Sequence, residues 1–438
     1  MPEPFTVDTL LHAFEPVFDQ LPDPRTGRNM TYTIKDAVLS AFAVFFMQSP
    51  SFLAQQQVVQ RQHGRNNAQT LFGVAQIPSD NQLRNLLDPL PPEHLFPLFE
   101  TCWQILQATG TLTTFQTLNQ QYLIALDGTQ YFSSPSVHCA ACSHTTSATG
   151  VTTYSHTVLL PVLVAPHQAQ VVALAPEFIT PQDGHDKQDC EHAAAKRWLT
   201  QHGLAFSPKA VTLLGDDLYC HQPFCEVALT QQFNFILVCK PDSHATVYQW
   251  VNTLAALGGV SGLTRRHWNG RFGERWTYRY VNEVPLRAEA DPLPVNWCEL
   301  TITDERDGRV LYHNAFVTNH AISDDTVAAI VAAGRTRWKV ENEGNNTLKT
   351  KGYHFEHNFG HGQHHLAAFL LTLILLAFLC HTLLDLLNTP YQLLRQALAA
   401  RRTFFDDLRA LTRYWVFDTW EQLFDFMIRG LQLEPPPP

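Results

Sequence analysis

Two aspartates in this 438-residue chain each follow an apolar run that is typical of a buried strand. Asp127 comes directly after Leu-Ile-Ala-Leu, and Asp216 comes after Thr-Leu-Leu-Gly. A carboxylate at the end of a buried strand costs free energy unless a partner, such as a cation, compensates its charge. A turn or a helix cap would explain either aspartate alone. The same placement of both, in an α/β frame, favours one shared site at the strand ends.

A third acidic element lies in the segment 334–353, GRTRWKVENEGNNTLKTKGY. At about 100° per residue of a helix, Glu341 and Glu343 point in nearly opposite directions, so only one of them can face the aspartates. Two aspartates and one glutamate form an all-oxygen site suited to two Mg²⁺ ions, or to Mn²⁺ in their place. Such ions activate the attacking oxygen and stabilise the leaving oxygen in phosphoryl transfer. The same segment carries basic side chains that would hold phosphates: Arg335, Arg337 and Lys349.

These motifs resemble the DDE transposases of bacterial insertion sequences, in the subgroup marked by a Tyr-Arg-Glu-Lys signature. The match covers roughly residues 120–385, from ALDGT through GDDLY to the segment that begins with Arg337. The resemblance implies an RNase H-like core with a β insertion between the second aspartate and the glutamate. It also implies catalytic and metal-binding roles for Asp127, Asp216 and Glu341, and contacts with the DNA backbone by Arg337 and Lys349.

Two positions depart from that signature. Gly334 stands where the signature has Tyr, and Lys349 lies eight residues after Glu341 instead of the usual seven. A π-bulge near residues 344–346, where Gly and Asn weaken the helix, could absorb the extra residue.

Each acidic position has a neighbouring alternative. Glu343 could replace Glu341, but it loses the spacing from the Arg-Trp pair, and Asp217 could replace Asp216. The Asp-x-x-Tyr spacing to Tyr219 favours Asp216. Further acids near the start of a predicted helix are interpreted as dipole-matching charges rather than site residues: Asp183, Asp186, Asp189 and Glu191.

A second set of metal-ligand types lies in VHCAACSH. The favoured interpretation is a loop with reduced thiols beside the first catalytic strand, because a single Cys-x-x-Cys pair has no distant second pair to complete it. The alternative is a Zn²⁺ site completed locally by the flanking histidines, with ligands His138, Cys139, Cys142 and His144. Five later histidines are interpreted as neutral polar contacts around the exit of the catalytic helix, with a metal site as the alternative: His354, His357, His361, His364 and His365.

The segment GLTRRHWNGRFGERWTYRY interleaves arginines with aromatic residues. Arginines can track phosphates while aromatic rings stack on unpaired bases. An ordinary amphipathic hairpin with a solvated arginine face explains the pattern equally well, but its position beside the catalytic module favours contact with DNA. The predicted contacts are Arg265, Arg266 and Arg271.

The pattern of apolar and polar residues around these positions predicts an α/β protein. Five helices are expected first, then three strands, a helix and a further strand, followed by a second helix and strand. The expected regions are a helical N-terminal region that binds DNA (1–115), the first part of an RNase H-like core (116–241), a β-rich insertion (242–318), the rest of the core with the glutamate helix and a buried apolar helix (319–388), and C-terminal helices with a proline tail (389–438).

Composition limits the class of protein. With 45% hydrophobic residues the chain is neither disordered nor of low complexity, and a formal charge of −10 argues against binding nucleic acid through bulk charge. Any contact with DNA must therefore be local. The nine cysteines and an N-terminus unlike a secretory signal predict a cytoplasmic protein with reduced thiols. The apolar segment Leu366 to Leu387 is expected to be a buried helix, with a membrane span as the alternative.

The predicted function is a transposase that cleaves the ends of a mobile element and joins the 3′ ends to target DNA. Its partners would be double-stranded DNA, in terminal inverted repeats and target, and a second copy of the chain assembled on that DNA. No membrane partner is expected. Two alternatives stay open: a metal-dependent nuclease that does not join DNA, and a domesticated DNA-binding protein whose active site is idle.

Overall fold

The computed structural model describes residues 5–26, 30–59, 62–181 and 190–434. The N-terminal part is helical, as predicted, and residues such as Thr33 and Ser79 cap its helices through side-chain bonds to the backbone. One helix, α4, was not predicted, because Gly and Asn residues dominate its first turns. The N-terminal helices are α1 (Val7–Asp19), α2 (Ile34–Phe46), α3 (Phe52–Val59), α4 (Gln62–Phe72), α5 (Asp80–Leu87) and α6 (Phe96–Ala108).

A single mixed sheet of 11 strands runs through the protein. Its order is β2-β3-β1-β6-β7-β11-β10-β9-β8, with β4 and β5 also paired to β3. The strands are β1 (Tyr122–Ser134), β2 (Ser143–Thr146), β3 (Thr152–Val164), β4 (Val172–Ala173), β5 (Glu177–Ile179), β6 (Val211–Gly215), β7 (Asn234–Val238), β8 (Ser261–Trp268), β9 (Gly273–Pro285), β10 (Pro294–Asp304) and β11 (Val310–Thr318).

Three of the remaining helices, α7 to α9, lie between strands of the sheet in the chain, and the others follow its last strand. A π-helical segment, Val340–Asn345, lies directly before α11. The helices are α7 (Glu191–His202), α8 (Gln222–Thr230), α9 (Ala245–Ala256), α10 (Val327–Arg335), α11 (Asn346–Thr350), α12 (Leu366–Leu387), α13 (Thr389–Ala397), α14 (Arg401–Tyr414) and α15 (Trp420–Gly430).

Side chains of β1 alternate between two hydrophobic clusters, as the period of a strand requires. Leu123 and Ala125 belong to a cluster that contains α1, α2, α6 and α12–α15, whereas Ile124 and Leu126 belong to one formed with α7, α8 and α9. The N-terminal and C-terminal helices therefore share one core on one face of the sheet. Strand β1 does not end at Asp127, as the sequence suggested. It continues to Ser134 beside β3, and only its parallel pairing with β6 ends just before the aspartate.

The β-rich stretch after β7 continues the main sheet. Strand β11 pairs antiparallel with β7, and β8 to β11 form an antiparallel meander. The three strands predicted from RWTYRYVNEV, WCELTITD and VLYHNAFVT are confirmed as β9, β10 and β11. Helix α9 was not predicted in this stretch.

The predicted buried helix is confirmed as α12. It is long and apolar enough to cross a membrane, but 89% of its most apolar 18 residues are buried inside the protein, which is typical of the core helix of a soluble protein. Its polar side chains have protein partners. Tyr353 Oη lies 2.6 Å from His381 Nδ1, and Gln170 Nε2 donates to Asp385 Oδ2 at 2.7 Å.

Candidate active site and Cys/His cluster

The parallel pairing of β1 with β6 brings the two predicted aspartates to the same edge of the sheet. Ala125 lies opposite Leu214 in this pairing, so two residues further on Asp127 and Asp216 are level with each other. Asp216 begins a short 3₁₀ turn, and its Oδ1 accepts a hydrogen bond from the backbone N–H of Leu218 at 2.9 Å. The other carboxylate oxygen is left for the site.

Asp217, the alternative to Asp216, has a different environment. Its Oδ1 accepts from the backbone N–H of Lys240 at 2.7 Å and lies 3.2 Å from His244 Nε2. The side chain therefore holds the connection between β7 and α9. This placement favours Asp216 as the acid of the site.

The third acid, Glu341, stands on the π-helical segment. Its Oε1 lies 2.7 Å from an Arg337 guanidinium nitrogen, and its side chain is 51% exposed. The predicted π-bulge is present, although the segment Val340–Asn345 begins a little before the expected position. The π-helix also turns Asn345 inward, where its Nδ2 donates to Asp127 Oδ2 at 2.6 Å. π-helical turns are rare and frequent at functional sites.

Glu343, the alternative to Glu341, interacts with Lys339 instead. Burial lowers the pKa of Lys339, and the charge of Glu343 partly restores it. The Lys339 ammonium donates to the carbonyls of Ala165 and Pro166, at 2.6 and 3.2 Å. Glu343 thus belongs to the packing between the π-helical segment and the end of β3.

The departure from the signature at Gly334 has a packing reason. A Cβ at this position of α10 would lie 2.9 Å from Ile236 Cγ2 and 2.9 Å from Phe316 Cδ1. The helix approaches strands β7 and β11 too closely for a side chain there.

A fourth acid, Glu191 at the start of α7, joins the site. The backbone N–H of Gly128 donates to Glu191 Oε1 at 2.9 Å, and Tyr219 Oη donates to the same oxygen. A Cβ at position 128 would lie 2.2 Å from Glu191 Oε2, so the glycine after Asp127 makes room for this carboxylate. The interpretation of Glu191 as a dipole-matching charge missed this contact. Three aspartates that received the same interpretation lie outside the described residues: Asp183, Asp186 and Asp189. The four C-terminal prolines also lie outside them.

The electrostatics of Asp127 reflect this crowding. Burial is the largest cause that raises the pKa of Asp127, which reaches about 7. Arg337 acts in the opposite direction. Charges of three further carboxylates add to the increase: Glu191, Glu341 and Asp216. The three other acids are therefore close enough to Asp127 to oppose its ionisation, and the Arg337 cation favours it.

The predicted zinc ligands need a correction. Cys139 and Cys142 do come together, but His138 stacks on Tyr154 with ring centroids 4.2 Å apart, and His144 also lies beside that ring. Their places are taken by two other histidines. The cluster that the structure forms, called the Cys/His cluster below, is Cys139, Cys142, His156 and His361.

The four ligand atoms of the Cys/His cluster all lie within 4.8 Å of one another. Burial lowers the pKa of His156 to about 4 and, with the charge of His138, also lowers the pKa of His361. Both imidazoles are therefore neutral at pH 7. Burial is also the main cause that raises the pKa of the Cys142 thiol to about 11.

The predicted DNA contacts have differing environments. Arg265 and Arg271 are exposed on β8 and the turn after it. Arg266 lies 2.8 Å from Glu305, and Lys349 lies 3.0 Å from Glu356. Arg335 packs its guanidinium over Tyr312 at 4.4 Å and Trp276 at 5.0 Å, and thereby ties α10 to the sheet.

The comparisons with known proteins do not identify the chain. No family model matches it, and no curated protein matches it. Function must therefore be inferred from the site itself.

Proposed function

We propose that the protein is a transposase that cuts DNA at the ends of a mobile element and joins the freed 3′ ends to target DNA. The observation that carries the proposal is the convergence of Asp127, Asp216 and Glu341, from three separate elements, at one edge of the sheet. Carboxylates held together against their mutual repulsion suit a site for two divalent cations. Asp127 and Asp216, which lie just past the paired residues of the parallel strands β1 and β6, also support an RNase H-like core.

The residues present fit Mg²⁺ or Mn²⁺. The donor set consists of oxygens, and Asn345 Oδ1 adds a buried oxygen that has no hydrogen-bond partner among the described residues. A positive charge here would lower the cost of ionising Asp127, whose pKa otherwise stands near 7. When bound, such ions supply activation of the attacking oxygen and stabilisation of the leaving oxygen in cleavage and in joining.

The chain's own residues orient the acids and the DNA strand. Asn345 fixes one oxygen of Asp127, and Arg337 fixes Glu341. The other terminal nitrogen of Arg337, Nη1, is buried and has no hydrogen-bond partner among the described residues. A phosphate oxygen that reached this nitrogen would satisfy it. Lys349, eight residues after Glu341, would add a point charge for the DNA backbone.

The DNA partner would be held mainly away from the acids. The exposed arginines of β8 and its turn, together with Lys349 and the N-terminal helices, are the proposed contacts with the terminal repeats. Both ends of an element must be brought together, so we expect a homodimer assembled on DNA. A cytoplasmic location agrees with this role and with the buried position of α12.

The test incubates the full chain with Mg²⁺ and end-labelled DNA that carries the repeats flanking its gene. We expect cleavage at the repeat ends and labelled products joined to a target plasmid, with no reaction in Ca²⁺. Cleavage without joined products would indicate the nuclease instead. Binding without cleavage in either Mg²⁺ or Mn²⁺ would indicate a DNA-binding protein with an idle site.

A further inference from the structure

We propose that the Cys/His cluster holds a structural zinc ion. Four of its six separations are close to those of a tetrahedral site, and the other two are within 4.8 Å. Cys139 Sγ lies 4.0 Å from Cys142 Sγ, and His156 Nε2 lies 3.6 and 3.4 Å from these two sulfurs. His361 Nε2 lies 3.6 Å from Cys142 Sγ. Zn–S bonds of about 2.3 Å and Zn–N bonds of about 2.0 Å require separations of about 3.8 Å between sulfurs and about 3.5 Å between sulfur and nitrogen.

The donor chemistry selects zinc and a structural role. Two thiols and two imidazoles in tetrahedral geometry favour Zn²⁺ over the oxygen-seeking Mg²⁺ and Ca²⁺. Four protein ligands leave no open position for water or substrate, which is the difference between structural and catalytic zinc sites. The cluster is therefore chemically distinct from the acidic site, and the proposal does not depend on what the acidic site does.

The fold builds the cluster from three segments. Cys139 and Cys142 lie in the connection between β1 and β2, where the Cys142 N–H donates to the Cys139 carbonyl at 3.2 Å and forms a tight turn. His156 stands on β3 and has a backbone hydrogen bond with Ala141, the kind of outer contact that orients a ligating imidazole. His361 comes from the segment between α11 and α12.

Aromatic residues enclose the cluster. Tyr131 stacks on His156 with centroids 5.5 Å apart, and Phe132 lies 4.4 Å from His361. Cys142, His156 and His361 are buried, whereas Cys139 is partly exposed and offers a route of entry for the ion. An apolar shell of this kind excludes water and strengthens the bonds to a cation.

A zinc ion here would link distant parts of the chain. Cys142 and His361 are 219 residues apart, so the ion would close a long loop and fix the segment after the π-helical turn against β1 and β3. The same ladder carries Asp127, and the same segment follows Glu341. The zinc would therefore hold in register the elements that bring the acids together.

The first experiment measures the metal in the wild-type full chain, purified without a histidine tag or chelators. We expect one zinc per chain and reduced thiols at both cysteines. Replacement of zinc by Co²⁺ should give thiolate-to-cobalt charge-transfer bands and the visible spectrum of tetrahedral cobalt. Zinc-free protein that does not take up added Zn²⁺ in competition with a chromophoric chelator would overturn the proposal. A native disulfide between Cys139 and Cys142 would also overturn it.

The second experiment compares ligand variants with matched histidine controls. Cys142→Ser and His361→Gln should weaken zinc binding by more than the roughly 10–100-fold that loss of an outer-shell partner costs. His138→Gln and His144→Gln, which change the histidines of the same loop, should leave zinc binding unchanged. Loss of zinc from these two controls, with retention in His361→Gln, would show that the four-residue assignment is wrong. Because the readout is metal content without DNA, it is independent of any transposase activity.

Discussion

Asp127 and His156 lie on the paired strands β1 and β3, yet the clusters around them hold charge in different ways. The acidic site gathers four carboxylates, one of them half-exposed, and burial with mutual repulsion raises the pKa of Asp127 to about 7. The Cys/His cluster gathers two thiols and two neutral imidazoles in a mostly buried position. One strand pair thus supports an open site of oxygens and a closed site of sulfur and nitrogen.

This difference between the two clusters shows that each set of ligand atoms suits a different role. An open site of hard oxygens can exchange water for a phosphate, whereas a closed site of thiolates and imidazoles has no free position and can only hold the fold together. We therefore expect substitutions in the acidic site to remove chemistry while sparing stability. Substitutions in the Cys/His cluster should instead lower the free energy of unfolding.

The largest effect is expected from the three predicted catalytic acids. Asp127→Asn, Asp216→Asn and Glu341→Gln should each lower DNA cleavage by at least about 1000-fold, since a lost metal ligand removes several kcal/mol of transition-state stabilisation. DNA binding should be retained because phosphate contacts elsewhere supply the affinity. Cleavage rates and binding constants measured on the same repeat DNA check both parts.

Matched controls for this prediction lie next to two of the acids. Asp217→Asn and Glu343→Gln remove a charge of the same sign within two residues of the site but outside its geometry. They should retain most of the cleavage activity. If they are inactive while the favoured variants stay active, the assignment of Asp216 and Glu341 is wrong.

The next prediction is that substitutions in the two clusters change the free energy of unfolding in opposite directions. Asp127 binds its proton more tightly in the folded chain, so stability falls as pH rises from about 4 through 7, and the full penalty is present above pH 7. In magnesium-free buffer at pH 8, Asp127→Asn should therefore raise the free energy of unfolding, by up to about 4 kcal/mol. At pH 4 the variant should gain nothing. Cys142→Ser should instead lower stability when zinc is present.

Denaturant unfolding at pH 4 and pH 8 measures these changes. The buffers contain no chelator, since a chelator would also remove zinc. Added Mg²⁺ at pH 8 should stabilise the wild type more than Asp127→Asn. Equal stabilisation of both proteins would show that the ion binds somewhere else.

Local patterns allowed part of the acidic site to be predicted. Asp127 and Asp216 follow apolar runs, and the helical period separates Glu341 from Glu343, so each could be selected from its own neighbours in the sequence. Glu191 could not be selected in this way, because only the close approach at Gly128 shows that it joins the site. The glycine directly after Asp127 was the available indication.

The Cys/His cluster shows the same limit more clearly. The spacing of Cys139 and Cys142 is a local pattern and was recognised. The histidines that complete the cluster lie 14 and 219 residues from Cys142, and only the pairing of β3 with β1 and the packing of the segment before α12 bring them close. His361 belongs to the histidine-rich segment 353–365, for which a metal site is the alternative interpretation. Sequence alone gave no reason to join the two sets.

A smaller effect would refine the role of Glu191. Glu191→Gln removes the first of the carboxylate charges that raise the pKa of Asp127, so this pKa should fall. In magnesium-free buffer at pH 8 the stability gain should be roughly 1–2 kcal/mol, less than that of Asp127→Asn. In the double variant the two gains should not add, because both act through one repulsion. If the two stability gains add fully in the double variant, Glu191 does not interact with Asp127.

The smallest effect concerns DNA affinity, which should belong to neither cluster. Replacing Arg265, Arg266 and Arg271 together by Ala should weaken binding to repeat DNA and reduce the salt dependence of affinity. Since each phosphate contact contributes about one unit of log–log slope, and Arg266 is already paired with Glu305, we expect a loss of about two units rather than three. Arg402 and Arg429, exposed on the C-terminal helices, provide a matched control whose replacement should leave the slope unchanged. An unchanged slope for the triple variant would show that these arginines are solvated and do not contact DNA. The affinity would then have to come from Arg337, Lys349 and the N-terminal helices.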